Sequence, residues 1–249
     1  MFSTIMRKLG RWLCSGLAMT LAVQVQAGIV LNATRVIYDG AQKEVSLQVH
    51  NTGASEVLAQ SWIDTGGEDT ASSAPPFAVT PALARLPGDA RQLIRIMYSG
   101  QGLPTDRESV LWLSVQEIPQ AGRENELQIA IRQRIKLFYR PQGLTGDPLD
   151  AAQALEWRIR DGQLEVVNPT RYHVSMIKLE GRRSTKVVLE EDSRMLAPGE
   201  RRQMPLQKPG GGPLELAFIS INDFGAQERY HATVASDRPA QAIKTDPST

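Results

Sequence analysis

The sequence predicts an all-β protein of two tandem immunoglobulin-like β-sandwich domains, and three observations lead there. Apolar residues recur at period two, as in Val45-Ser46-Leu47-Gln48-Val49, Leu93-Ile94-Arg95-Ile96-Met97, Leu111-Trp112-Leu113-Ser114-Val115 and Leu127-Gln128-Ile129-Ala130-Ile131. Such alternation is what a strand with one buried face requires. Turn formers interrupt it at short intervals, at Asp39-Gly40, Asn51-Thr52-Gly53, Gly66-Gly67, Pro75-Pro76, Pro87-Gly88-Asp89 and Gly100; Gly admits a positive φ there and Pro presets a negative one. The second half also repeats the first. Pro87-Gly88-Asp89-Ala90-Arg91-Gln92 is answered 111 residues later by Pro198-Gly199-Glu200-Arg201-Arg202-Gln203, and Val49-His50-Asn51-Thr52 is answered 117 residues later by Val166-Val167-Asn168-Pro169. Both offsets fit one sandwich of about 100 residues plus a connection. A βαβ sheet would need helical patterns of about ten residues between strands, and only residues 148–155 read as helical, briefly.

Taken in order, residues 1–27 read as a secretory signal peptide: Arg7, Lys8 and Arg11 with no acid, an apolar run over residues 12–23, then Val25-Gln26-Ala27 before Gly28. The run is shorter than the roughly 20 residues of a membrane-spanning helix, so no membrane insertion is expected. The first sandwich occupies residues 28–146 and closes with residues 126–140, which read as one uninterrupted strand. Pro141-Gln142-Gly143-Leu144-Thr145-Gly146-Asp147-Pro148 is too rich in Pro and Gly for a strand interior and marks the junction. Being short, it holds the two domains at a fixed angle. The second sandwich follows over residues 147–238, and residues 239–249, with two prolines and little apolar content, read as a disordered tail.

Composition narrows the function classes. In a chain of 249 residues with 41% hydrophobic content and a net charge of +1, there is a core to bury but no basic field of the kind that displaces counterions from nucleic acid. Removing residues 1–27 takes away three positive charges and no negative ones, leaving −2. Cys14, the single cysteine, goes with them, so neither disulfide nor thiolate chemistry is expected of the remainder. His50, His173 and His231 are scattered without metal-ligand spacing, no serine sits in a G-x-S-x-G elbow, and no glycine loop cradles a phosphate. The expectation is a protein with no metal, no cofactor and no catalytic residue, which is not an enzyme.

Residues 126–140 stand out. Leu127, Ile129 and Ile131 alternate along a segment about three times the usual strand length, at the end of a domain, where the last strand tends toward a sheet edge. An apolar row on an open edge invites aggregation unless another chain is meant to pair with it. Alternation alone fits equally a row turned into this domain's own core. Arg132, Arg134, Lys136 and Arg140 occupy the other parity, which on its own reads as a solvated strand face.

Four segments carry a family resemblance in the right order: Asn32-Ala33-Thr34-Arg35-Val36-Ile37-Tyr38-Asp39-Gly40; Asp106-Arg107-Glu108-Ser109 with the later Glu117-Ile118-Pro119; Ile135-Lys136-Leu137-Phe138-Tyr139-Arg140-Pro141; and Ile221-Asn222-Asp223-Phe224-Gly225. Together they resemble the PapD-like periplasmic pilus-assembly chaperones of the chaperone-usher pathway, over essentially all of residues 28–236. The resemblance implies a boomerang of two sandwiches in the Gram-negative periplasm. It implies that Arg35 and Lys136 anchor the C-terminal carboxylate of a pilus or fimbrial subunit, and that Leu127, Ile129 and Ile131 complete that subunit's unfinished sandwich as a donor strand. It further implies that Glu108, Arg140 and Asp223 form an inter-domain charge network, and that an outer-membrane usher collects the loaded complex. The short segment between Pro119 and Glu126 and the absence of a cysteine pair match the short-loop subgroup. Two copies offering the same apolar row have a means of capping each other as a dimer while awaiting cargo. The competing class is a tandem-sandwich structural subunit or adhesin of a cell-surface fibre. Such a subunit would be expected to carry a disulfide and an N-terminal donor extension, whereas here the Arg35 motif follows almost directly on Gly28.

Overall fold

The computed structural model describes residues 28–66, 75–120, 128–207, 211–235 and 238–245; the leader read in residues 1–27 and Leu127 of the apolar row lie outside them. The first domain runs through β1 (Ile29–Leu31), β2 (Arg35–Asp39), β3 (Val45–Asn51), β4 (Val57–Asp64), β5 (Phe77–Thr80), β6 (Leu83–Leu86), β7 (Arg91–Tyr98), β8 (Ser109–Pro119) and β9 (Arg132–Arg140). These form two facing sheets, ordered β1-β3-β7-β5 and β2-β9-β8-β4-β6. The alternation seen in the sequence is the reason: Leu47 and Val49, Ile94 and Ile96, Leu111, Leu113 and Val115, and Leu137 and Tyr139 all turn into one core.

The chain enters one sheet and immediately leaves for the other. β1 pairs antiparallel with β3; at Asn32, whose Oδ1 accepts from the Gln48 N–H at 2.9 Å, it crosses over, and β2 pairs parallel with β9. β2 therefore flanks β9 only from Lys136 onward. Ahead of Lys136, among the described residues, no strand pairs with that side of β9.

Residues 126–140 are not one uninterrupted strand, since the ladder begins at Arg132. The Glu117 N–H still donates to the Ile131 carbonyl at 2.9 Å. The next donor in that antiparallel ladder, two residues on, would be Pro119, which has no N–H, so pairing stops there. Residues 148–155 likewise make no helix but successive turns, closed by Ala151 N–H to Pro148 O at 3.3 Å and Ala154 N–H to Asp150 O at 3.0 Å. The segment is too short to propagate a helix, and it turns Ala151, Ala152 and Leu155 into the second core.

The second domain contains β10 (Glu156–Arg160), β11 (Gln163–Val167), β12 (Val174–Arg183), β13 (Lys186–Leu196), β14 (Arg201–Pro205), β15 (Leu214–Ile221), β16 (Gln227–Val234), β17 (Ala240–Gln241) and β18 (Ile243–Lys244). Its sheets are ordered β14-β11-β10-β17 and β13-β12-β15-β16-β18, packed around Trp157, Leu164, Val166, Phe218 and Tyr230. The expectation of a disordered tail over residues 239–249 fails for its described part. β17 pairs with β10, Ala242 is buried, and β18 pairs with β16, so the tail crosses from one sheet to the other and occupies an edge of each.

The internal repeat has a physical basis. Asn51 is buried, and its Nδ2 donates to the carbonyls of Ser55, Leu86 and Pro87; Asn168, also buried, donates to those of Tyr172, Leu196 and Ala197. In each sandwich the Asn turn thus ties down the Pro-Gly turn that repeats alongside it. An apolar side chain at either position would leave three carbonyls without that donor.

Candidate functional site

The parallel ladder between β2 and β9 sets Arg35 directly beside Lys136, then Ile37 beside Phe138 and Asp39 beside Arg140. Partners in a parallel ladder point to the same side, so these three pairs share one face, while Val36, Tyr38, Leu137 and Tyr139 turn into the core. The shared face meets the second domain. Arg35 Nη1 donates to the Ile221 carbonyl at 2.9 Å, and Lys136 Nζ reaches Ser175 Oγ at 3.5 Å. Phe138, outside its own domain's core, lies 5.8 Å from the His173 ring.

Among the described residues, neither Arg35 nor Lys136 takes part in an ion pair, and Arg35 Nε is buried without a hydrogen-bond partner. Burial lowers the Arg35 guanidinium from its usual range, against the pull of Asp223 and Glu108. Burial, and then the neighbouring Arg35, lowers the Lys136 ammonium. Two cations held side by side, half-buried and, among the described residues, in no ion pair, suit an anion supplied from outside.

A few residues further along β9 the charges are fully matched. Arg140 donates from Nη1 and Nη2 to the two Asp223 oxygens at 2.5 and 2.7 Å and from Nε to Glu108 at 2.7 Å. Burial opposes this charge, but the two carboxylates outweigh it and hold Arg140 above its ordinary value. The other Glu108 oxygen accepts from the His173 N–H at 2.7 Å and faces His173 Nδ1 at 2.8 Å. The Tyr172 ring lies under Arg140 at 5.4 Å. The expected trio of Glu108, Arg140 and Asp223 is thus brought together. His173, which sequence reading set aside as scattered, joins it; nothing in its local spacing signals a partner 65 positions away. The turn that aims Asp223 is held by Asn222, whose Oδ1 accepts from the Phe224 and Ala226 N–H groups at 3.1 and 3.0 Å.

Ile129 and Ile131 are 67% and 40% exposed, so they do not fill this domain's own core. The basic residues of the other parity are not a merely solvated face. Arg132 stacks over Trp62 at 4.8 Å and Arg134 over Trp112 at 4.5 Å, and both reach across β8 to the nearly buried Asp64. The two tryptophans drew no attention in the sequence because their alternation is that of any strand.

Comparisons with known proteins show the family and the fold. Residues 28–145 match the family model described as pili and flagellar-assembly chaperone, PapD N-terminal domain. Residues 150–232 match that of the pili assembly chaperone PapD, C-terminal domain. The chaperone protein FimB/FhaD of Bordetella pertussis is 38% identical over 231 residues, 87% of this chain and 92% of its own. The probable fimbrial chaperone YadV of Escherichia coli is 37% identical over 232 residues, 86% of this chain and 92% of its own. The crystal structure of the YadV chaperone superposes with a TM-score of 0.72, covering 83% of this chain and 100% of that one at 39% identity. A complex of the Salmonella enterica SafA pilin with the SafB chaperone gives a TM-score of 0.69 at 28% identity, covering 85% of this chain and 98% of that one.

Proposed function

The chain belongs to the PapD-type pili-assembly chaperone family, and from that premise we propose that it is a periplasmic chaperone that caps fimbrial subunits by donor-strand complementation and delivers them to an outer-membrane usher. The observation that carries the reading is where β2 begins. Among the described residues, no strand occupies the lane beside β9 ahead of Lys136, and β2 fills it from Lys136 onward, with Arg35 at its first position. A client strand laid in that lane runs into Arg35. If it runs parallel to β9, its last residue stops there and its terminal carboxylate meets the two cations. An antiparallel strand would present an amino group to them instead, which like-charge repulsion rejects.

Once the terminus is fixed, so is the register, and a slip of one residue would turn every client side chain to the wrong face. Ile129 and Ile131, with Leu127 by alternation, then enter the client's open groove, while backbone hydrogen bonds supply affinity without dictating sequence. Arg140, Glu108 and Asp223 keep the second domain where Arg35 and Lys136 need it. The work is non-covalent throughout, and no bond has to be made or broken.

The test is a synthetic peptide ending in a fimbrial subunit's last strand, offered as the free acid and as the C-terminal amide. Charge-assisted hydrogen bonds are worth about 1.5–3 kcal/mol each, so amidation is expected to weaken binding at least about tenfold. Equal affinity for acid and amide would remove Arg35 and Lys136 from the anchor role.

A further inference from the structure

Phe224 is 86% exposed, more than any other large apolar side chain among the described residues. It is not exposed for want of order. Its N–H is held by Asn222 Oδ1, and Asp223 before it is clamped by Arg140 through two hydrogen bonds. Gly225 after it sits at φ +81°, so close to the first domain that a Cβ there would lie 2.7 Å from Thr34 Oγ1. Two residues before Asp223, the Ile221 carbonyl holds Arg35. The turn is thus pinned against Thr34 and Arg35, where that lane beside β9 ends, and its aromatic ring is free to turn into neither core.

We propose that Phe224 is the second domain's contact with the client, packing on an aliphatic or aromatic side chain among the last residues before the terminal carboxylate; this rests on Arg35 and Lys136 being the anchor. The occupant follows from continuity. The turn that carries Phe224 abuts Thr34 and Arg35, so a chain whose terminus reaches Arg35 ends beside it, and the side chains nearest that terminus are the ones closest to the ring. On a backbone already held, an aromatic side chain has only two torsions to lose on contact, and aromatic residues are enriched in the cores of protein interfaces. The anchor then recognises the terminal charge, which every chain carries, while Phe224 discriminates among termini.

Three probes test this: peptides of alternating valine and threonine that end in leucine as the free acid, in glycine as the free acid, and in leucine as the amide. The wild type is expected to prefer the leucine acid over the glycine acid by about tenfold. Phe224→Ala and Phe224→Ser should lose that preference, Phe224→Leu should keep most of it, and all should still bind the amide weakly. The variants should melt as the wild type does, since the side chain touches no core. If Phe224→Ala keeps the preference while amidation still weakens binding, the anchor stands and the role given to Phe224 is overturned. If the wild type binds amide and acid alike, the anchor fails and the role of Phe224 fails with it.

Discussion

Glu108 of the first domain is bound twice by His173 of the second, through the backbone N–H at 2.7 Å and through Nδ1 at 2.8 Å. The carboxylate is buried, and its remaining oxygen takes Arg140, so one side chain satisfies donors from both domains. Since an ionised carboxylate only accepts, Nδ1 carries the proton in this contact.

Removing Glu108 should therefore cost more than a surface ion pair, which is worth about 0 to 1 kcal/mol. Glu108→Ala leaves the His173 N–H unsatisfied and gives Arg140 only Asp223 to balance its charge. A loss of about 3 kcal/mol is expected, measured by denaturant unfolding, with a broader distribution of inter-domain angles in small-angle scattering. Glu108→Gln retains an acceptor and should fall between the two. A Glu108→Ala variant with wild-type stability and scattering would show that the junction is held elsewhere.

Lys136 behaves in the opposite sense. Its folded-state pKa is lowered by burial and by Arg35, so between that value and the ordinary one the unfolded chain holds a proton that the folded chain has released. Stability then rises with pH through this window, and the unfavourable contribution of Lys136 is fully present below it. Lys136→Met is accordingly expected to melt no lower than the wild type at neutral pH, although it loses the client. Client affinity should fall as pH rises through the same window, whereas Lys136→Arg, which keeps its charge, should give a flat profile. A large drop in melting temperature for Lys136→Met would contradict this account.

These two sites also mark how far the sequence could be read. Period-two patterning disclosed the strands because burial acts on neighbouring residues, and the Asn51 and Asn168 turns were visible because each sandwich needs the same buried donor. The parallel neighbourhood of Arg35 and Lys136, 101 positions apart in the chain, left no periodic trace. It entered through family resemblance alone. His173, the stacking of Arg132 and Arg134 on Trp62 and Trp112, and the loss of pairing at Pro119 were missed for the same reason: each depends on which strands meet, and local spacing is silent about that.

Ile129 offers a test in which folding and function separate. Because it is mostly exposed and outside any ladder, Ile129→Asp should change stability by no more than about 0.5 kcal/mol. In a client groove the same carboxylate would be buried without a partner, at a cost of several kcal/mol. The variant is expected to be soluble, to keep its melting temperature and to fail to protect a co-expressed subunit from proteolysis. Recovery of a stable complex with that variant would contradict the donor role of this row.

The C-terminal tail, whose composition predicts disorder, instead lines two sheet edges. β17 adds to the edge at β10 and β18 to the edge at β16; Lys244 Nζ pairs with Glu228 at 3.0 Å, and the Thr245 N–H donates to the Arg229 carbonyl at 2.8 Å. An uncovered strand edge is a template for any other strand, and a chaperone that works by offering one edge is hindered by offering three. Deleting residues 238–249 should bare the edges at β10 and β16 and raise self-association, read by light scattering as a concentration-dependent mass. Because Ala242 belongs to the second core, the deletion also risks unfolding that domain. Ala240→Pro and Ile243→Pro avoid this by keeping the chain while each removes the backbone donor that faces Trp157 or His231, and each is expected to cost about 1–3 kcal/mol. Hydrogen exchange should then quicken at β10 in the first variant and at β16 in the second. Unchanged exchange at both strands, together with a monomeric deletion variant, would show that the tail covers nothing that needs covering.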